Sequence, residues 1–440
     1  MENKADRRLT CSADKKTSIR EALLATGLKR QNQVCKVYEC KIVEKRLNTK
    51  QREQLKMLFV EGKWFYNHVL SVHKNGELLK DINTSHVKSV NHFDKDKNSI
   101  SSELQVLSSQ QKQAIVTRMI SNERTISTLF RKGLQKHGSL QFKSDFNCVP
   151  LKQHGVTYRF KSSNKVKIQG ISGYMLIRTG GQLETIDEFA NANLVKKPDG
   201  YYLKVTCYIN KENYKEKPRN GREIGLDFGI KTSITTSEGE KLDVSVGESD
   251  RLKRLQRELE RRAKGSNNRH KTVRLIQREY QKLSNRKEDK ANKIVSKLKA
   301  YSCICMQDEQ IAGWHKGLFG KQVQHSCMGM IKQKLKALPQ TVVLDRFIPT
   351  TKWCPQCGKK NAISLSERTY SCSCGYHEDR DVHSAKNMLA IKNLVFENRS
   401  FVPTEHREVT LTEFKAAIAD SVMLTGTSPD REVRRCSVFS

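Results

Sequence analysis

No stretch of this 440-residue chain reaches the ~18 consecutive apolar residues that a membrane-spanning helix needs. The opening segment, MENKADRRLTCSADKK, lacks the apolar core of a secretory signal. Membrane insertion and secretion are disfavoured, and a cytoplasmic protein is expected. Acidic residues are scarce beside basic ones, with 47 Asp+Glu against 81 Lys+Arg and a net charge of +34. That shortage excludes an ordinary balanced surface, because so many unpaired positive charges repel one another until a polyanion neutralises them. Nucleic acid is the expected partner, since each phosphate contact releases condensed counterions. Hydrophobic residues make up only 36%, too many for a wholly disordered chain and enough for several modest cores. At ~100–200 residues per domain, about two to four domains are expected.

The 13 cysteines do not read as a disulfide framework: the number is odd and the chain is long. Four of them form two tight pairs, Cys354/Cys357 (C-x2-C) and Cys372/Cys374 (C-x-C), with Gly358 and Gly375 directly behind them. Thiolates so spaced in turns can reach one tetrahedral Zn²⁺, and four sulfurs close its coordination shell, so the predicted site is structural. The other nine are scattered and read mostly as small apolar core residues.

Along the chain, residues 1–34 read as a flexible arm and 35–44 alternate like a strand. Residues from Thr49 carry Leu55, Leu58, Phe59, Phe65, Val69 and Leu70 at helical spacing. Residues 81–98 read as a loop and 102–136 as a long helix. Residues 150–212 hold β-rich runs separated by Gly or Asn turns. EIGLDFGIKTSITTSEG then reads as a strand meander. Residues 251–300 read as a helical hairpin broken by GSNN, with 18 Lys+Arg against 5 Asp+Glu, and an apolar seam through Leu252, Leu255, Leu259, Val273, Ile276, Tyr280 and Leu283. Such one-sided charge points to phosphate. Residues 399–440 read as a weakly ordered tail.

Acids recur where apolar strands end. Asp227 lies inside I-G-L-D-F-G-I, where a carboxylate is costly unless it is paired or holds a cation. Gln307-Asp308-Glu309 follow I-C-M, and Asp379-Arg380-Asp381 stand where a helix begins. Carboxylates brought together from three distant segments suit Mg²⁺, which prefers hard oxygen ligands and keeps several waters.

The order of meander, basic hairpin, acidic strand, cysteine ribbon and D-V-x-x-A-x-N helix resembles TnpB, the transposon-encoded RNA-guided nuclease. It equally resembles the miniature type V-F CRISPR effectors related to TnpB. The stretches that carry the resemblance are GLDFGIKTSITTSEG, TTKWCPQCG, DRDVHSAKNML and the hairpin between them. The resemblance implies an α+β multidomain chain in a prokaryotic cell. Residues 35–215 would form a β-barrel wedge with an inserted helical recognition region at about 47–140. Residues 221–350 would form an RNase H-like RuvC nuclease domain, resumed at 379–398 after a zinc ribbon at 351–378. It implies cleavage of double-stranded DNA with Mg²⁺ after guide RNA pairing and recognition of a short flanking motif. Its first and last catalytic carboxylates would be Asp227 and Asp381. The middle acid departs from the family pattern: a gapless match anchored on Gly313 and Trp314 puts Gln307 at the family's Glu. An amide cannot supply the charge, so Glu309 is expected there, with Asp308 second; if neither serves, the chain is a nuclease-inactive RNA-guided binder. His383, where the family commonly has Asn, reads as a neighbour of the site. Arg261, Arg262, Lys264, Arg269 and Lys271 at the hairpin break are the expected nucleic-acid contacts. Trp64, Phe65 and Tyr66 read as core rather than DNA contacts. At 440 residues the chain is short to enclose a guide and target alone, so a homodimer on one guide RNA is expected.

Overall fold

The computed structural model describes residues 18, 20–85, 87–93, 98–214, 218–229, 233–364 and 367–397. The expected tail at 399–440 lies outside them. Two compact units divide the chain, residues 1–216 and 217–440.

In the first unit, Gln33–Ile42 (β1) opens the largest sheet among the described residues. Helix α1 (Thr49–Lys74) follows, capped by Asn48, whose side chain accepts from the Gln51 N–H while Gln51 answers to the Asn48 N–H. Its buried stripe, Leu55, Leu58, Phe65, Val69 and Leu70, enters the core at helical spacing. Ser89–Phe93 (β2) and Ser99–Glu103 (β3) form a hairpin, and Ser109–Arg131 (α2) starts on a second capping box at Ser108 and Gln111. Cys148–Leu151 (β4), Tyr158–Ser162 (β5), Lys165–Ile168 (β6), Met175–Arg178 (β7), Glu188–Lys197 (β8) and Gly200–Asn210 (β9) complete an antiparallel sheet in the order β4-β8-β9-β1-β7-β6-β5. The two helices are thus inserted between the first and second strands of one sheet. That sheet is nearly closed: β4 and β5 are its edges and do not pair with each other, so the expected barrel stays open at that seam.

Glu61 on α1 ties the inserted region together. It is 1% exposed and accepts backbone N–H groups from Gln105, Val106 and Leu107 at 2.7–3.1 Å. A buried carboxylate needs such donors, and this one fixes the segment that leads into α2. Phe65 and Tyr66 are buried as read, and Trp64 stacks on His92 with ring centroids 4.0 Å apart.

Three expectations are corrected here. Residues 20–31 of the supposed arm are helical, and residue 33 already belongs to β1. Lys29 and Arg30 pair with Glu188 on β8 at 2.7 and 2.6 Å, and these cations hold its carboxyl down at about 2. The supposed loop at 81–98 contains β2, and β3 takes the start of the supposed helix at 102–136. Neither hairpin strand alternates apolar and polar residues cleanly enough to be read as a strand.

The second unit is built on Glu223–Gly229 (β10), Ser233–Thr236 (β11) and Lys241–Leu242 (β12), an antiparallel meander, with Cys303–Gln307 (β13) and Thr341–Leu344 (β14) added parallel on the other side. The strand order is β12-β11-β10-β13-β14. The basic hairpin, Asp250–Arg261 (α3) and Asn267–Leu298 (α4), connects the meander to β13, as a parallel neighbour requires a long crossover. Its seam holds Leu252, Leu255 and Leu259 against Leu275 and Ile276. Tyr280, assigned to that seam by spacing, is 45% exposed, and its hydroxyl accepts from Gln256 instead. Met328–Lys336 (α5) precedes β14. A short ribbon, Thr369–Ser371 (β15) with His377–Asp379 (β16), leads into the last helix among the described residues, Arg380–Glu397 (α6), which packs against β10.

Candidate functional site

Helix α6 reaches β10 because residue 225 is glycine. A Cβ there would stand 1.9 Å from the Ala385 carbonyl oxygen, well inside any tolerable contact. This close approach sets Asp227, two residues along the strand, beside the first turns of α6. The Ser384 hydroxyl donates to Asp227 Oδ1 at 3.2 Å. A Gly225→Ala change must push strand and helix apart. It is expected to cost about 3 kcal/mol of stability, at the upper end of forced overpacking, and to abolish any divalent-cation binding that involves Asp227. Thermal melting and Mn²⁺ titration of the variant check this; wild-type values in both would remove the argument for close approach.

The electrostatics of Asp227 are unusual for a strand carboxylate. Burial raises its pKa first, then the charge of Asp381; the Ser384 bond opposes them, and Glu309 adds a further rise, to about 7. Acids from two other segments, after β13 and at the start of α6, thus act on the one carried by β10. Glu309 is half-buried and its pKa is also raised, by burial first, with Lys332 and Arg346 opposing.

The neighbouring acids are engaged elsewhere. Asp308 is exposed and pairs with Lys332 at 2.9 Å and Lys336 at 2.6 Å, both on α5, which lowers its pKa. Asp379 pairs with Lys241 at 2.9 Å and accepts the Asp381 and Val382 N–H groups, so it caps α6. Gln307 is 5% exposed, and its amide donates to the Asp345 and Ile348 carbonyls at 3.0 and 2.8 Å. Of the three residues at the end of β13, Glu309 is the one that acts on Asp227, and it has no close ion pair among the described residues.

The four expected cysteines converge. Cys354 and Cys374 sulfurs are 3.6 Å apart, and Cys357 and Cys372 sulfurs 3.5 Å. A tetrahedron with Zn–S near 2.3 Å has sulfurs ~3.8 Å apart, so the set fits a structural zinc ion. Among the described residues, these are the group of three or more His, Cys, Asp or Glu whose ligand atoms all lie within 4.8 Å of one another. The three acids are not gathered so tightly; hydrated Mg²⁺, which keeps several waters, does not demand it.

His383 is fully buried, stacked on Tyr370 of the ribbon with ring centroids 3.8 Å apart. Burial pushes its pKa down to about 4, so it stays neutral, and its Nε2 meets the Asn387 amide at 3.1 Å. It is packing between ribbon and helix, which spacing alone did not reveal.

At the hairpin break, two of the five expected nucleic-acid contacts are used internally. Arg262 pairs with Glu258, and Arg269 donates to the Leu259 and Arg262 carbonyls at 2.6 and 3.1 Å, closing the turn. Arg261, Lys264 and Lys271 are exposed.

Comparison with known proteins finds matches over parts of the chain. Residues 205–307 match a family described as "Probable transposase" (OrfB of IS605), and residues 326–388 match the TNB domain of Cas12f1-like proteins. A protein of Streptomyces pristinaespiralis with the provisional name RNA-guided DNA endonuclease is 30% identical over 184 residues, covering 39% of this chain and 46% of that protein. A second, from Escherichia coli K12, with the provisional name RNA-guided DNA endonuclease InsQ, is 28% identical over 204 residues, covering 39% and 49%. This chain thus spans about half the length of these curated relatives. A cryo-EM structure of a Cas12f1–sgRNA–target DNA complex aligns over 81% of this chain and 99% of that one, at 11% identity and a TM-score of 0.46. The resemblance to TnpB-related, miniature type V nucleases is borne out by the two family matches and the relatives together. No helix among the described residues is long and apolar enough to cross a membrane.

Proposed function

We propose that this chain is an RNA-guided DNA endonuclease that hydrolyses phosphodiesters at one centre formed by Asp227, Glu309 and Asp381. The observation that carries the reading is the Asp227 carboxyl, set beside α6 by the Gly225 close approach and acted on there by the charges of Asp381 and Glu309 from two other segments. Such an arrangement is costly in an apo protein unless a cation normally relieves it. The meander with two parallel strands beside it and α6 packed against β10 supports an RNase H-like, RuvC-type domain. Magnesium, when bound, would supply an activated water and neutralise charge at the leaving oxygen. The chain's own part is to hold three anionic side chains in place: Asp227 through Ser384, Asp381 at the start of a helix capped by Asp379, and Glu309 near Lys332 and Arg346.

Guide RNA and double-stranded target DNA are the proposed polyanions. A ~20-bp heteroduplex brings about 40 phosphates, held through backbone shape, while the protein reads a short flanking motif itself. Exposed Arg261, Lys264 and Lys271 are the proposed phosphate contacts, with Arg262 and Arg269 shaping the turn that presents them. The residue ranges assigned to wedge, recognition, nuclease and ribbon segments are proposed on the same basis. We favour a CRISPR effector over a transposon-encoded nuclease, because the β-rich sheet and its inserted helices make a long segment ahead of β10, and we propose a homodimer on one guide.

Purified protein with its guide, target duplex and Mg²⁺ tests the reading. Guided cleavage is expected, and its absence with intact protein and bound guide would leave an occupancy-based binder instead. Sequencing the bound RNA separates the CRISPR from the transposon source, and the mass of the guide complex reads one copy or two.

A further inference from the structure

Gln307 stands where the family's Glu would fall, yet it is not idle. Its amide nitrogen spans two carbonyls, of Asp345 and Ile348, which a carboxylate cannot do because it has no hydrogens to donate. With both donors so placed, its oxygen faces the Thr350 hydroxyl at 3.5 Å. The Thr350 hydroxyl lies 2.9 Å from the Ser384 hydroxyl, and Ser384 donates to Asp227 Oδ1. Thr350 and Ser384 are 4% and 1% exposed, so water does not compete for these bonds. From the other side, Asn387 donates to the Thr350 carbonyl at 2.7 Å and to the Trp353 carbonyl at 2.8 Å. Segment 345–353 is therefore clasped from β13 and from α6 at once.

The proton count gives the row a direction. When Asp227 is ionised it accepts the Ser384 proton. The 2.9 Å contact between the hydroxyls then needs the single Thr350 proton, with Gln307 Oε1 at 3.5 Å as a weaker second acceptor. The two hydroxyls act in series, and Gln307 and Asn387 set where the first one stands. Asp227 Oδ2 makes no hydrogen bond among the described residues.

We infer that Ser384 and Thr350, with Gln307 as the anchor, are positioning residues that hold the Asp227 carboxylate in one orientation for a divalent cation. The inference rests on the reading of Asp227 as a metal-holding carboxylate and assigns Gln307 a part other than ligand. Groups that orient metal ligands from behind typically change metal affinity by ~10–100-fold when removed.

The test uses the full chain with its guide and compares Ser384→Ala, Thr350→Val, Thr350→Ser, Gln307→Glu and Asp227→Ala. Mn²⁺ binding is followed by electron paramagnetic resonance, and guided cleavage is followed against Mg²⁺ concentration. Thermal melting confirms that each variant is folded. Ser384→Ala and Thr350→Val are expected to weaken Asp227-dependent Mn²⁺ binding and raise the half-saturating Mg²⁺ by ~10-fold or more. Thr350→Ser keeps the hydroxyl and should stay within ~2-fold of wild type, a rescue that a packing role would not predict. Guide-dependent target binding should not change. Gln307→Glu, which sets a carboxylate against two carbonyls, should weaken metal binding. Tighter binding in Gln307→Glu would make position 307 a ligand and overturn the inference, as would equal affinities in Ser384→Ala and wild type. Absence of cleavage alone overturns the nuclease reading, and the Mn²⁺ series still decides the positioning role.

Discussion

Asp227→Asn is expected to lower guided cleavage by about 10³-fold while making the magnesium-free protein more stable. The first effect follows from removing one of three negative side chains around the proposed ion site, in the range seen when a charge-stabilising group is deleted from a reacting centre. The second follows from the raised pKa. An ordinary aspartate titrates at 3.8, and Asp227 in the folded chain at about 7. Below about pH 4 it is protonated in both folded and unfolded chains and contributes nothing. Between those values the unfolded chain ionises and the folded chain does not, so stability falls as pH rises. Above about 7 the full penalty, on the order of a few kcal/mol, is present. An amide carries no such penalty. The Asn variant should therefore melt several degrees above wild type at pH 8 without magnesium, and the two should converge toward pH 4. Added Mg²⁺ should raise the melting temperature of wild type and leave the variant nearly unmoved. Equal melting curves at pH 8 would mean that the carboxylate is not under repulsion, and the three-acid centre would lose its main support.

The acids of the proposed centre and the cysteines of the ribbon were suggested by residues in order. Asp227 stood out because a charge inside an apolar strand needs a reason, and the cysteine pairs because their spacing fits one ion. What could not be read was which acid at the end of β13 faces inward. Gln307, Asp308 and Glu309 are adjacent, and a strand end is free to turn any of them. The choice depends on Lys332 and Lys336 drawing Asp308 outward and on two carbonyls of the 345–348 turn engaging Gln307, both distant in sequence. Distant partners decided other points too. Nothing local marks Arg269 as a turn-closing residue rather than a phosphate contact, since its acceptors are carbonyls that any residue carries. His383 looked like a site neighbour because it lies two residues from Asp381, and the Tyr370 ring that covers it comes from the ribbon. The helix at 20–31 was missed because Leu23, Leu24 and Leu28 are too few to make a sustained apolar stripe; all three are exposed, and the helix is tied down by charge, at Glu188.

Loss of the ribbon's zinc should be the most disruptive single change in the second unit. Its core is small: Cys354, Tyr370 and Cys372 buried, with Cys357, Ile363 and Tyr376 packed on them, and two strands of three residues each. So little apolar surface cannot hold some thirty residues in place, and structural zinc in comparable small modules contributes ~10–16 kcal/mol of apparent binding energy. The consequences reach beyond the ribbon through named contacts. Asn361 donates to the Tyr370 hydroxyl at 3.0 Å, Tyr370 stacks on His383, and His383 meets Asn387, which holds the Thr350 and Trp353 carbonyls. Trp353 itself is 4% exposed, packed with Cys305, Leu344, Met388 and Ile391. One zinc per chain is expected by elemental analysis, falling toward zero in Cys354→Ser and Cys372→Ser. Those variants should show a red-shifted tryptophan emission, because Trp353 becomes wet, together with loss of guided cleavage. Chelator-treated wild type should recover both signals on addition of Zn²⁺ and neither on addition of Mg²⁺, since four thiolates select the softer ion. A Cys372→Ser protein that keeps one zinc, or keeps the wild-type emission maximum without it, would show that the ribbon stands on its own packing and that the path from Tyr370 to Thr350 does not depend on metal.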